Sequence, residues 1–185
     1  MIFTSGEIHI HFSGRVEFVQ HRIIFRCLAT PCHTQDSLCY YVTNSSNNHP
    51  VGVFTGDTLF IAGCGRFFEG VGSEMVTALE CLGRLPDQTT VYVGHEYTKD
   101  NLAFGKYIDP TGEGLAKLEE IVKSNNITTG LTTIGDEKEW NVFFRLDSDA
   151  VRYSLGLLLV TCSQKSIGKQ PLAPKTPRRV QLWTS

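Results

Sequence analysis

Residues 53–70 read VFTGDTLFIAGCGRFFEG, and this stretch decides the fold class. Its first residues close a short β-branched and aromatic run, 51–55, which stops at Gly56-Asp57. A second apolar run, 59–62, follows immediately. Two strand-like runs joined by a Gly-Asp turn place the Asp57 carboxylate at the end of a strand, where loops converge and sites form. Working outward, 8–12, 23–29, 38–43 and 90–93 are runs of the same kind, each bounded by Gly, Pro, Asn or Asp. The polar cluster 44–50 predicts a hairpin between the strands on either side.

Helical periodicity begins after this block. From Ser73, the apolar residues Met75, Ala78, Leu79 and Leu82 recur at three-to-four spacing, Gly83 can end the helix, and Pro86 prevents its continuation. A second helix is expected from about Thr98. A third is expected over 113–123, with Leu115 and Leu118 on one face. Short strands followed by amphipathic helices predict a layered α/β domain over 1–156. Residues 157–185 differ: an apolar stub leads into a Ser-, Lys-, Gln- and Pro-containing tail without period, expected to be loose.

Composition excludes several classes. In 185 residues, 41% apolar and 19% charged is ordinary for a packed domain, and no run reaches the roughly 18 apolar residues that a membrane-spanning helix needs. The first eleven residues lack the basic flank and apolar block of a secretory signal, so an intracellular protein is expected. Six irregularly spaced cysteines without a C-x-x-C pair argue against a disulfide framework and a zinc ribbon. The tail carries five basic residues and no acid, but prolines interrupt them and aromatic interleaving is lacking, so nucleic acid is not an expected partner.

Three segments carry groups suited to metal chemistry, each at a strand end: Thr30-Pro31-Cys32-His33-Thr34, Phe54-Thr55-Gly56-Asp57-Thr58, and Val93-Gly94-His95-Glu96-Tyr97. Imidazole nitrogens and a carboxylate suit zinc, iron or manganese, and a carboxylate can bridge two ions. Gly56 and Gly94 would let the backbone turn sharply before Asp57 and His95. Singly, such a His is more often a hydrogen-bonded structural residue, and such an Asp more often makes an Asx turn or caps a helix.

Taken in order, residues 27–41 (CLATPCHTQDSLCYY), 53–70, 85–102 (LPDQTTVYVGHEYTKDNL) and 140–145 (WNVFFR) resemble glyoxalase II, the hydroxyacylglutathione hydrolases. The resemblance runs over about residues 20–156. It implies a metallo-β-lactamase fold, a β-sandwich with outer helices, and a binuclear metal site, zinc with iron or manganese as alternatives. It also implies roles: His33 resembles a ligand of one metal, His95 a ligand of the other, and Asp57 the catalytic carboxylate bridging both. Arg66 and Phe68 fall where the family has a Lys and a Tyr that contact glutathione, and Tyr97 falls on a matching Tyr. The implied reaction is hydrolysis of S-D-lactoylglutathione and related S-acyl glutathiones to hydroxy acid and glutathione in methylglyoxal detoxification, in cytoplasm or mitochondria.

The sequence also departs from the family. The loop His-x-His-x-Asp-His, which supplies most of the family's metal ligands, has no counterpart. The single His-x-His, His9-Ile10-His11, runs into Phe12-Ser13-Gly14, and His11 lies 22 residues before His33. The two histidines would share one strand face, read as solvated rather than ligating. Gln35-Asp36 replace the family's Gly-His. The basic carboxy-terminal helices that grip glutathione are not recognisable after Gly156. The expectation is a partial fold lacking its amino-terminal half, with an incomplete ligand set, weak or no activity alone, and exposed apolar strand faces open to self-association. Two alternatives remain: a non-catalytic fragment with an interaction or regulatory role, and a one-iron persulfide dioxygenase, against which residues 64–70 and 94–98 speak.

Overall fold

A computed structural model describes residues 7–10, 16–20, 23–44, 49–154 and 156. Six strands form one sheet: β1 (Glu7–Ile10), β2 (Val16–Gln20), β3 (Ile23–Ala29), β4 (Leu38–Asn44), β5 (His49–Gly56) and β8 (Val91–Val93), in the order β1-β2-β3-β4-β5-β8. The first five are antiparallel neighbours, and β8 runs parallel to β5. Between β5 and β8 lie a two-stranded ribbon, β6 (Leu59–Phe60) with β7 (Gly63–Cys64), and helix α1 (Gly72–Gly83). After β8 come α2 (Thr98–Ile108), α3 (Glu113–Ser124), α4 (Ile134–Trp140) and α5 (Asp149–Ser154).

The expected strands and the three expected helices are present, and β4 and β5 pair across the polar cluster. Three features differ from the sequence reading. The run 59–62 splits into a ribbon because Ala62 takes a left-handed φ of 58°, reversing the chain after only two strand residues. Strand β2 was not anticipated, since His21-Arg22 before β3 lacks the Gly, Asn or Asp of a tight hairpin. Helices α4 and α5, of seven and six residues, are too short to display a period; α4 is announced only by its cap, where Thr133 and Asp136 exchange hydrogen bonds. His11 and the tail 157–185 lie outside the described residues, and of His9 only the backbone, in β1, is described.

The helices cover one side of the sheet. Cys39 and Tyr41 of β4, Val53 of β5 and Val91 of β8 pack against Met75, Leu79 and Leu82 of α1 and Ile134 of α4. A second cluster joins Ile61 and Ala62 of the ribbon turn to Leu102 of α2, Leu115 and Leu118 of α3, and Trp140 of α4. Burying each large aliphatic side chain here stabilises the fold by about 1.5–3 kcal/mol. Across the cores, the Asp109 carboxylate at the end of α2, almost wholly buried, accepts a hydrogen bond from Arg145 at 2.8 Å. On the opposite side of the sheet Ile23, Leu38, Tyr40 and Phe54 share one face by register and are all exposed. No second sheet faces it among the described residues, so the architecture is a mixed α/β fold with one sheet covered by helices on one side; the second sheet of the expected sandwich is not among the described residues.

Candidate metal centre

The edge formed by the ends of β3, β5 and β8 gathers the three sequence-selected segments. β5 ends at Gly56, whose φ of +50° is a conformation that side chains disfavour, and this turn delivers Asp57. Thr58 N–H donates to the Thr55 carbonyl at 3.0 Å, and Thr55 Oγ1 donates to Leu59 O at 2.8 Å, closing the turn. The Thr30 and Thr58 hydroxyls meet at 3.0 Å in the interior and fasten the His33 loop to the Asp57 turn.

Around Asp57 the backbone is packed too closely for side chains. A Cβ added at Gly65 would stand 1.7 Å from the Asp57 carbonyl oxygen and 3.2 Å from His33 Nδ1; one added at Gly94 would stand 2.5 Å from Asp57 Oδ1. Gly94 therefore serves close approach. The sharp turn expected there from a left-handed glycine occurs at Gly56 alone of the two.

The result is a carboxylate flanked by two imidazoles. His33 Nε2 lies 3.3 Å from Asp57 Oδ2, and His95 Nε2 lies 3.5 Å from Asp57 Oδ1. The side chains are 19% exposed for His33, 31% for Asp57 and 50% for His95, so the centre opens to solvent on the His95 side. The second nitrogen of His33, Nδ1, lies 3.0 Å from the Arg66 carbonyl. The Arg66 carbonyl and the Asp57 carboxylate both only accept, so His33 has an acceptor at each ring nitrogen, and a cation on the Asp57 edge would leave the proton on Nδ1.

This donor set can be compared with what a metal requires. Ligand distances of about 2.0–2.2 Å in tetrahedral geometry put neighbouring donors roughly 3.3–3.6 Å apart. Both His–Asp pairs match that spacing, each using a different oxygen of the carboxylate. The pairs are two edges rather than one triangle: among the described residues no three His, Cys, Asp or Glu side chains converge on one point. Spacing and chemistry therefore fit one ion on each edge, with two protein donors apiece, fewer than the three or so of a catalytic zinc.

The residues expected at the substrate rim stand around these edges. Phe68 is largely exposed and meets the His33 ring edge-on at 5.0 Å. Tyr97 stacks on His95 at 5.0 Å and 15°, and Phe60 meets both rings edge-on. The Arg66 backbone orients His33, and its side chain is exposed. The thiols nearby are unreactive in character: burial pushes Cys64 up to about 12, and burial likewise raises Cys39. No disulfide links the described cysteines.

Two supporting carboxylates had no sequence signal at this level. Glu96 accepts hydrogen bonds from Thr128 N, Thr129 N and Thr128 Oγ1, pinning the His95 loop to residues 128–129. Burial raises its carboxyl, but these donors outweigh burial and leave it below its usual range. Glu137 is fully buried, and desolvation raises it to about 7 despite hydrogen bonds from Asn141, Trp140 and the Ala62 amide. It reaches the centre only through the ribbon turn, 75 residues away in sequence.

The chain is similar in sequence to several known proteins. A family model described as hydroxyacylglutathione hydrolase C-terminus matches residues 96–167. The chain is 52% identical over 156 residues to a probable hydroxyacylglutathione hydrolase of Schizosaccharomyces pombe, covering 84% of this chain and 54% of that one. The cytoplasmic isozyme of Saccharomyces cerevisiae is 48% identical over 139 residues, covering 70% of this chain and 50% of that one. The mitochondrial hydroxyacylglutathione hydrolase of the same yeast is 46% identical over 140 residues, covering 70% and 49%. The chain spans about half the length of the curated relatives it matches. In sequence the chain matches the hydroxyacylglutathione hydrolases, the glyoxalase II family, over most of its own length.

Proposed function

We propose that this chain carries the Asp57 half of the active site of a metal-dependent thioester hydrolase acting on S-D-lactoylglutathione and related S-acyl glutathiones. The observation that carries the reading is the bridging geometry, one carboxylate with a different imidazole Nε2 at each oxygen. The family implies a metal; the proposed identity is zinc, with iron or manganese as alternatives, in a two-ion site. Bound there, the metal supplies Lewis acidity and a water acidic enough to attack a thioester carbonyl near neutral pH.

The chain's own residues set the geometry. His33 presents a fixed Nε2, Asp57 offers one oxygen to each side, and His95 completes the solvent-facing edge. Arg66 is proposed to pair with a glutathione carboxylate, while the Phe68 and Tyr97 rings flank the peptide. Phe68 lacks a hydroxyl, which removes a substrate hydrogen bond of about 0.5–1.5 kcal/mol. Water enters the acyl carbon, the C–S bond breaks, and a hydroxy acid and the glutathione thiol leave. The proposed compartment is one of the two named for the yeast relatives, cytoplasm or mitochondrion.

With two donors per ion, each shell needs further ligands, and a segment bearing the family's His-x-His-x-Asp-His loop supplies that chemistry. The test joins a segment bearing such a loop to residues 23–156 of this chain. Metal-dependent turnover of S-D-lactoylglutathione that is lost in Asp57→Ala is the expected result. A folded, metal-loaded chimera indifferent to Asp57→Ala overturns the reading.

A second reading, an interaction role, is favoured by the face on which Ile23, Leu38, Tyr40 and Phe54 are exposed. Self-association through that face makes the sedimentation coefficient rise with concentration, and a Tyr40→Lys/Phe54→Lys double variant should abolish the rise.

A further inference from the structure

The turn joining β6 to β7 is a buried peptide loop with no room to find water. Ile61 and Ala62 are essentially unexposed, and Ala62 holds its left-handed φ of 58° without being glycine. Such a conformation persists only where the surroundings over-determine it. Here three consecutive residues of the turn each have one backbone group satisfied by a side chain from the helical layer. Asn101 Nδ2 of α2 donates to Ile61 O at 3.0 Å, Ala62 N–H donates to Glu137 Oε2 at 2.9 Å, and Asn141 Nδ2 donates to Gly63 O at 3.0 Å. Glu137 is held in turn by Asn141 Nδ2 at 2.8 Å and Trp140 Nε1 at 3.0 Å, and Asn141 Oδ1 accepts from Phe143 N at 3.0 Å. Glu137 and Asn141 are both 0% exposed.

The clamped turn is the tip of a hairpin whose two arms end in the metal centre. One arm leaves Asp57, and the other ends at Arg66, whose carbonyl lies 3.0 Å from His33 Nδ1. The arms are locked together by the register Leu59↔Cys64 and Phe60↔Gly63 and by Gly65 N–H donating to Thr58 O at 3.2 Å. Moving the tip therefore moves the Asp57 carboxylate and the Arg66 carbonyl relative to His33.

We propose that Asn101, Glu137 and Asn141 are positioning residues of the Asp57 centre: by clamping the 61–63 turn they hold the Arg66 carbonyl against His33 Nδ1. The proposal rests on the functional reading above for the importance of His33 Nε2, but its physical content is independent of any bound metal. In its ionised form Glu137 only accepts, and Ala62 N, Trp140 Nε1 and Asn141 Nδ2 all donate to it. In Glu137→Gln one oxygen becomes an NH2 that faces an N–H or NH2 group instead, at nearly unchanged volume.

The test uses the full chain labelled with 15N at histidine, at about pH 9, where ordinary imidazoles are neutral. Long-range 1H–15N spectra read the tautomer of His33 directly, with His95 as the internal control. The unsubstituted chain should show an Nδ1–H population at His33, the form that donates to the Arg66 carbonyl, in competition with the form that donates to Asp57. Asn141→Ala and Glu137→Gln should each raise the Nε2–H to Nδ1–H ratio of His33 by about two- to tenfold, the factor that one hydrogen bond sets, with His95 unchanged. Should those variants fail to fold, Asn101→Ala, which removes a single hydrogen bond from the part-buried side of the turn, decides by the same ratio. A folded variant whose His33 keeps the tautomer ratio of the unsubstituted chain overturns the proposal, as does an equal change at His95. Zinc binding by the unsubstituted chain is measured in parallel. Its absence counts against the proposed function, whereas the tautomer ratio alone decides the clamp.

Discussion

His33 and His95 face opposite oxygens of one carboxylate, yet they are held in different ways. His33 is mostly covered, its outer nitrogen is fixed by a backbone carbonyl, and that carbonyl belongs to a hairpin clamped from the interior. His95 is half exposed and is held by ring contacts with Tyr97 and Phe60 and by the Glu96 anchor of its loop. A hydrogen-bonded imidazole has its ring rotation chosen before anything binds, so little orientational entropy remains to be lost. A stacked, exposed imidazole keeps more of that freedom. The centre therefore has a preorganised side and an adaptable side, and the adaptable side is the one open to solvent.

The sharpest way to break this asymmetry is through the two glycines that crowd Asp57. Gly65→Ala drives a Cβ into the backbone carbonyl of Asp57 on the preorganised side, where no side-chain rotation can relieve the overlap. It should destabilise the chain by about 3 kcal/mol, near the upper end of overpacking costs, and be visible as a lowered urea midpoint. Gly94→Ala meets the tip of the Asp57 side chain on the other side. It should cost about 1 kcal/mol while displacing the carboxylate from His95. Equal effects of the two substitutions would remove the distinction.

The clamp behind His33 gives a pH signature of somewhat smaller size. Burial raises Glu137 from 4.5 to about 7, so the folded chain binds this proton more tightly than the unfolded chain does. The stabilisation from that proton is fully present below pH 4.5 and is lost as pH rises through about 7. It amounts to on the order of 2–3 kcal/mol over the window. Urea midpoints measured across that range should fall with pH in the native chain and flatten in Glu137→Gln; parallel slopes would assign the pH dependence to other groups.

The smallest effect belongs to the adaptable side. Tyr97→Leu removes the ring stacked on His95, an interaction of about 0.5–1.5 kcal/mol at most in this exposed setting. Its resonance changes should be confined to His95 and its neighbours, with the His33 tautomer unaltered.

The contrast also explains what the sequence could reveal. Asp57, His33 and His95 were legible because each follows a strand at a turn carrying its own local signals, and because those segments together resemble one family. The strands around them were legible from β-branched runs bounded by turn residues. The reasons for Gly65 and Gly94 were not legible, since a glycine needed for contact with a residue 8 or 37 positions away leaves no local mark. Glu137 and Asn141 were missed because they lie on a seven-residue helix or at its end, and their partners Ala62 and Gly63 are 75 and 78 residues away. A charged residue in a short polar stretch reads as a solvated surface until a fold buries it. The Thr133-x-x-Asp136 cap was the one local clue that a helix begins there.

The central claim, that Asp57 bridges two half-filled metal edges, is tested most directly by zinc binding and S-D-lactoylglutathione turnover in the 185-residue chain and its Asp57→Ala variant, repeated with iron and manganese. Two donors per ion predict weak binding that Asp57→Ala abolishes, and turnover no greater than the metal-only background. Binding indifferent to Asp57 would contradict the bridge. Robust turnover that disappears in Asp57→Ala would contradict the half-filled edges and show that other groups, with His9 and His11 the first to examine, complete the centre.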